Sequence, residues 1–212
     1  MAARTVNDTP DAQSQTLALS HQKLKALEPE LYSARSWQRF LRENGYRLAS
    51  PNENADYWKN YIEENLRRGD CRAAVVVSVS PLLVAAYAGE LDCIAMLRFA
   101  DHLAQKYTLK AGAQLLAVNI YLEWNFFLPE DLSPGPRSVG KYRNFAPLIA
   151  DFLTDDAALV EQKKAEITKA EWQRAAIAGK DYLRRNGEKA RDGRPLLCHL
   201  PAKAPVKSKN KR

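Results

Sequence analysis

The chain has 212 residues, is 46% hydrophobic and 27% charged, and carries 19 aromatic residues and a net charge of +7. This is globular composition with enough length for one sizeable core, and it excludes a chain disordered throughout. No apolar run reaches the ~18 residues of a membrane span, the first 15 residues lack the apolar middle of a secretory signal, and three cysteines (Cys71, Cys93, Cys198) are too few for a secreted disulfide framework. The expectation is a soluble, cytoplasmic protein that engages no membrane.

Taken in chain order, residues 1–15 are polar and aperiodic and read as a flexible N-terminus. Leu17, Leu24 and Leu27 predict a short helix over 15–27, which Pro29 interrupts. Leu31, Ala34, Trp37, Phe40 and Leu41 recur at steps of three and four and predict an amphipathic helix that stops at Asn44-Gly45. Asn54 or Asp56 then caps a helix carrying Tyr57, Tyr61, Ile62 and Leu66, and Gly69 ends it.

The texture changes at Asp70. The most apolar part of the chain predicts three strands, 73–79, 82–88 and 91–99, with a turn at Ala88-Gly89-Glu90 that has a glycine available for positive φ. The strands after Pro81 are apolar on both faces, which predicts a sheet covered on both sides. SPLLVAAYAGELDCIAML has the outline of an ankyrin turn and helix. Leu82-Leu83 stands where that family has Leu-His, however, and no second copy recurs at a ~33-residue period. A short helix at 101–107 and a fourth strand at 114–122 follow. Residues 123–144 read as a long loop, and Asn144-Phe145-Ala146-Pro147 as the start of a helix reaching Leu153. Asp155 or Asp156 caps a longer helix that Asn186-Gly187 ends. Residues 188–212 read as a basic irregular or disordered tail, with Leu196, Leu197 and Leu200 pinning it to the body. The fold expected is a single α+β domain over 16–187: a mostly antiparallel sheet of about four strands (73–122) flanked by N-terminal and C-terminal helices.

The charge is uneven. Residues 1–154 hold 17 basic and 17 acidic residues, and residues 155–212 hold 15 and 8. An anionic partner for the C-terminal end is one consequence, and nucleic acid bound through Lys203, Lys207, Lys209, Lys211 and Arg212 is one functional reading. Against it, Tyr182 is the only aromatic after Trp172, so base-stacking residues are missing there; basic solubilising termini are also common.

GPRSVGK (135–141) fits G-x-x-x-x-G-K, the opening of a phosphate-binding loop. That motif needs a buried strand before it, a helix after it and a Ser or Thr for magnesium. Here LPEDLSP precedes it, Tyr142 follows Lys141, and Pro136 removes an amide, so a basic loop is the better reading. No cofactor and no metal site are predicted: Cys198-His199 with Cys71 falls short of four zinc ligands. Cys93 with His102 would make a nucleophile and base if they met, and Asp92 and Glu123 stand near strand ends. The plainer readings are a buried inert thiol at Cys93, and an Asp92 that satisfies turn amides or pairs with Arg98. An enzyme of unknown class is the minor alternative. The leading expectation is a non-enzymatic accessory protein that binds another macromolecule, a protein, through an aromatic-to-basic loop (124–143): Trp124, Phe126, Phe127, Arg137, Lys141 and Arg143. Core burial is the competing reading of its aromatics.

Overall fold

The structure is a computed structural model that describes residues 17–44, 54–123 and 128–202. Helix starts fall where side chains cap them. Ser20 opens α1 (His21–Leu27), Ser33 opens α2 (Ala34–Glu43), and Asn54 opens α3 (Ala55–Arg68), each accepting a hydrogen bond from an amide of the first turn. A 3₁₀ turn, Pro29–Tyr32, links α1 and α2.

The apolar middle forms β1 (Asp70–Val79), β2 (Leu82–Ala88) and β3 (Cys93–Phe99), followed by α4 (His102–Lys106) and β4 (Gln114–Glu123). The sheet is larger than its expected four strands. Tyr142–Ile149 is β5, not a helix, and Arg191–Asp192 is β6, paired parallel with Leu97 and Arg98 of β3. The six strands run β5-β4-β1-β2-β3-β6, which makes the sheet mixed. Pro147 suggested a helix start, yet it lies opposite Asn119 on an edge strand, where a missing N–H is tolerated.

Both faces of the sheet are covered, because alternate residues of the central strands point to different apolar clusters. Ala74, Val76, Val84, Ala86 and Leu97 join the cluster that contains α1–α3 and the segment 196–198. Ala73, Val75, Leu83, Ala85, Tyr87, Ile94 and Met96 join the cluster under the long C-terminal helix. A third cluster sits where the sheet curls, with Tyr121, Tyr142, Phe145 and Leu132 against Ala88, Leu91 and Cys93.

The expected single C-terminal helix is two. Asp156 caps α5 (Ala157–Glu166), the chain breaks at Ile167-Thr168, and Thr168 caps α6 (Lys169–Asn186). The T-x-x-E spacing of Thr168 and Glu171 is a helix-start signal. Glu171 turns its carboxylate to the sheet, accepting from the Ala73 amide at 2.9 Å and from Arg72 at 3.4 Å.

Of the stretch 188–212 read as a basic tail, residues 188–202 are described and lie on the body; residues 203–212 lie outside the described residues. Arg191 is fully buried. Its Nε donates to Asp131 Oδ2 at 2.6 Å, and its Nη1 donates to Asn144 Oδ1 at 2.9 Å and to the Phe145 carbonyl at 3.0 Å. Leu196 and Leu197 are buried, and the Leu196 amide donates to Glu28 at 2.8 Å. Arg194 reaches Glu30 at 2.7 Å and Asp192 at 3.0 Å.

Removing one member of a buried ion pair strands the other charge. Asp131→Ala is expected to cost about 3–5 kcal/mol in urea titrations, and Asp131→Leu combined with Arg191→Met appreciably less than that. Equal losses would show that the pair does not act as a unit.

Two groups make stability depend on pH in opposite senses. Burial pushes Glu28 from 4.5 to about 8, against the Leu196 amide and the Arg194 charge. Its contribution is therefore complete below pH 4.5 and is lost as pH rises through 8. Burial, then the Arg191 charge, depresses His199 from 6.5 to about 4. Its contribution is present above pH 6.5 and is lost as pH falls through 4. The melting temperature of Glu28→Gln minus that of the native chain is expected to grow from pH 5 to 8, and the same difference for His199→Asn to grow from pH 6.5 down to 4. A pH-independent difference would contradict either assignment.

Candidate functional site

α6 is pressed onto the sheet by small residues. A Cβ at Gly179 would stand 2.7 Å from both Ala85 Cβ and Val77 Cγ1, closer than side chains tolerate. Trp172, Ala175 and Tyr182 complete the buried side. The adjacent stripe, Arg174, Ile177, Ala178, Asp181 and Arg185, repeats at helical spacing but faces a cleft of about 390 Å³. The opposite wall comes from Asp92, in the turn between β2 and β3, and from Glu130, Ser133 and Arg137 of the segment before β5.

That wall is held by one carboxylate. Asp92, and not Gly89, takes the left-handed conformation in the turn, with φ 47°. The Tyr87 hydroxyl donates to Asp92 Oδ1 at 2.8 Å. Arg137 donates to the same carboxylate from Nη2 at 2.8 Å, from its backbone amide at 3.2 Å and from Nε at 3.3 Å. Burial would raise the Asp92 carboxyl, but the bonds and charge of Arg137 and the bond from Tyr87 hold it below its ordinary value. Burial, then Asp92, pushes Tyr87 up to about 12. The Gly135 amide bonds the Leu91 carbonyl and the Val139 amide the Glu90 carbonyl, each at 3.0 Å. The segment expected to be a free loop is thus stapled to the β2–β3 turn, and Asp92 pairs with Arg137 while Arg98 pairs with Glu188 at 3.1 Å.

The opposite, helical wall has polar groups to spare. Among the described residues, Arg174 and Arg185 have no carboxylate partner; Arg174 reaches the Tyr87 hydroxyl across the cleft, and Arg185 Nε donates only to the Asp181 carbonyl at 3.3 Å. Asp181 pairs with Arg184 at 3.1 Å. Tyr182 is 5% exposed, and its hydroxyl is buried with no hydrogen-bond partner among the described residues. Burial, with the nearby Asp131 charge, raises that hydroxyl to about 12, so at neutral pH it is a donor.

Of the residues singled out in sequence, Arg137 lines the cleft. Lys141 and Arg143 are exposed at the start of β5 and do not line it; Lys141 Nζ lies 5.1 Å from the Tyr142 ring centre. Trp124, Phe126 and Phe127 lie outside the described residues, as do Lys203, Lys207, Lys209, Lys211 and Arg212. GPRSVGK runs into a strand, so no helix follows Lys141 to complete a phosphate-binding loop. Cys93 and His102 stand near opposite ends of β3, roughly 20 Å apart by strand rise, and line different cavities. The second cavity, about 540 Å³, lies between α1, α4 and the 188–201 segment, with Phe99, Leu103 and Leu200 in its wall. Among the described residues no cluster of His, Cys, Asp and Glu is arranged to hold a metal, and no helix is long and apolar enough to cross a membrane. Sequence reasoning missed Arg174, Tyr182 and Arg185, because their stripe resembles any wet helix face until the opposite wall is in place. No family model, curated protein or solved structure matches the chain.

Burial pushes the thiols of Cys71, Cys93 and Cys198 each up to about 12. Native protein at pH 7.5 is expected to resist iodoacetamide over hours and to take up three labels in urea, counted by mass. Fast native labelling at Cys93 would revive it as a nucleophile.

Proposed function

We propose that this is a non-enzymatic accessory protein that binds a protein partner through the face made by α6 and the stapled segment 128–143. One observation carries the reading. The two most exposed large apolar side chains among the described residues, Val139 at 59% and Ile177 at 63%, belong to the segments that form the two walls of the arginine-bearing cleft. Apolar exposure beside arginine and tyrosine is the composition of contact hot spots. Leu128, 40% exposed, begins the same segment. Both walls are pinned, α6 by close packing at Gly179 and the loop by Asp92, so binding would cost little ordering entropy.

The test is affinity capture from the native cell, with and without nuclease. Native protein is expected to retain a protein after nuclease treatment, and Ile177→Asp with Val139→Asp to lose it at least tenfold at an unchanged melting temperature. Retention equal to native would refute the assigned face, and retention abolished by nuclease would transfer the function to nucleic acid and the C-terminal lysines.

A further inference from the structure

The cleft has a charge pattern that is more specific than its shape. Four carboxylates line it, Asp92, Glu130, Asp131 and Asp181, beside three arginines. Most of these charges are already spent: Arg137 holds Asp92 at 2.8 Å, Arg191 holds Asp131 at 2.6 Å, and Arg184 holds Asp181 at 3.1 Å. Arg174, Arg185 and the exposed Glu130 are left without ionic partners among the described residues. The cleft is therefore cationic at two points and acidic at its rim. A continuous run of phosphates would bring charge against the unpaired Glu130 as well as the arginines, whereas carboxylates spaced to meet the two arginines would not.

The spacing of the open groups follows from the helix. At ~1.5 Å per residue, Ile177 and Ala178 stand roughly 5–6 Å along α6 from Arg174, Tyr182 roughly 12 Å and Arg185 roughly 16 Å. An extended chain advances ~3.3 Å per residue and turns alternate side chains the same way, so positions i, i+2 and i+4 fall at roughly 0, 7 and 13 Å. The buried Tyr182 hydroxyl is one helical turn from Arg185 and has no partner among the described residues. Together they offer an O–H donor and a guanidinium to one carboxylate.

Resting on the reading that this cleft is the partner-binding face, we infer that it takes an extended acidic segment of a protein with the pattern acid–x–apolar–x–acid. The first carboxylate meets Arg174, the apolar side chain packs on Ile177 and Ala178, and the second carboxylate meets Tyr182 and Arg185. A volume of about 390 Å³ is at the small end of ligand sites and suits a few side chains, not a folded domain.

The experiment titrates full-length protein with three N-acetylated, C-amidated pentapeptides and follows backbone and arginine Nε resonances by NMR. The peptides are Glu-Ser-Leu-Ser-Glu, its Gln-Ser-Leu-Ser-Gln counterpart, and the misspaced Glu-Glu-Leu-Ser-Ser. The first is expected to give saturable shifts confined to α6 and the 130–139 segment, and to bind roughly tenfold or more tighter than the other two. Arg174→Gln and Arg185→Gln should each weaken it roughly tenfold, and Tyr182→Phe several-fold, at unchanged melting temperatures. Equal binding of all three peptides, shifts spread over the basic surface, or unaltered affinity in the arginine variants would overturn the site. Unaltered affinity in Tyr182→Phe would overturn its three-point form, and tighter binding of oligo-dT at the same resonances would overturn its preference for protein. The two readings fail separately. Peptide binding with capture indifferent to the combined Ile177→Asp and Val139→Asp variant would keep the subsite and reject the function; capture lost in that variant without peptide selectivity would do the reverse.

Discussion

Arg191 is the residue on which the shape of the sheet depends. Strand order places β5 and β6 at opposite edges. A guanidinium rooted in β6 nevertheless donates to the Phe145 carbonyl and the Asn144 side chain of β5, and to Asp131 beside the third cluster. Those contacts require the sheet to curl until its edges meet. The Phe145 carbonyl of the edge strand β5 is satisfied by this arginine, and the Asn144 side chain donates from Nδ2 to the His199 carbonyl at 2.8 Å. A buried ion pair seldom adds net stability over apolar packing, because desolvation offsets attraction. Here it ties the two edges together, because one guanidinium bonds Asp131, Asn144, Phe145 and Cys198 at once.

The same residue explains where sequence reading stopped. Local signals were legible. Asn54 and Asp156 cap helices at positions the sequence offered, whereas the caps at Ser20, Ser33 and Thr168 were not singled out, and β1, β2 and β4 fall within a few residues of their predicted bounds because β-branched and apolar runs are bounded by turn residues. The doubly apolar strands indicated a sheet covered on both faces, and α6 and α1–α3 cover it. β5 was not legible: Pro147 reads as a helix start, and only an edge position makes it compatible with a strand. β6 is two residues long and exists because Arg191 has an interior to fill. Arginine in a basic stretch reads as solvated charge, and no local pattern separates Arg191 from Lys189 or Arg194.

The candidate site was legible in one wall only. Arg137 stood out as a basic loop residue, and its segment was long enough to suggest binding. Its partner Asp92 was placed near a strand end, but the pairing spans 45 residues and depends on the curl. The helical wall was hidden, since Arg174, Ile177, Asp181 and Arg185 make an ordinary amphipathic surface when α6 is considered alone.

Curl and cleft are linked through Asp131. Its carboxylate anchors Arg191 inside the closed sheet and also lines the cleft, with the Tyr182 hydroxyl nearby. Had Asp131 been unpaired, its charge would repel an acidic ligand and would itself have claimed the Tyr182 proton. Arg191 holds both carboxylate oxygens, at 2.6 and 3.4 Å, and its charge opposes that of Asp131 at the Tyr182 hydroxyl. The closure that fixes the sheet thus also bears on the charge of the cleft, so a substitution that loosens Arg191 would alter the electrostatics of a surface it does not line.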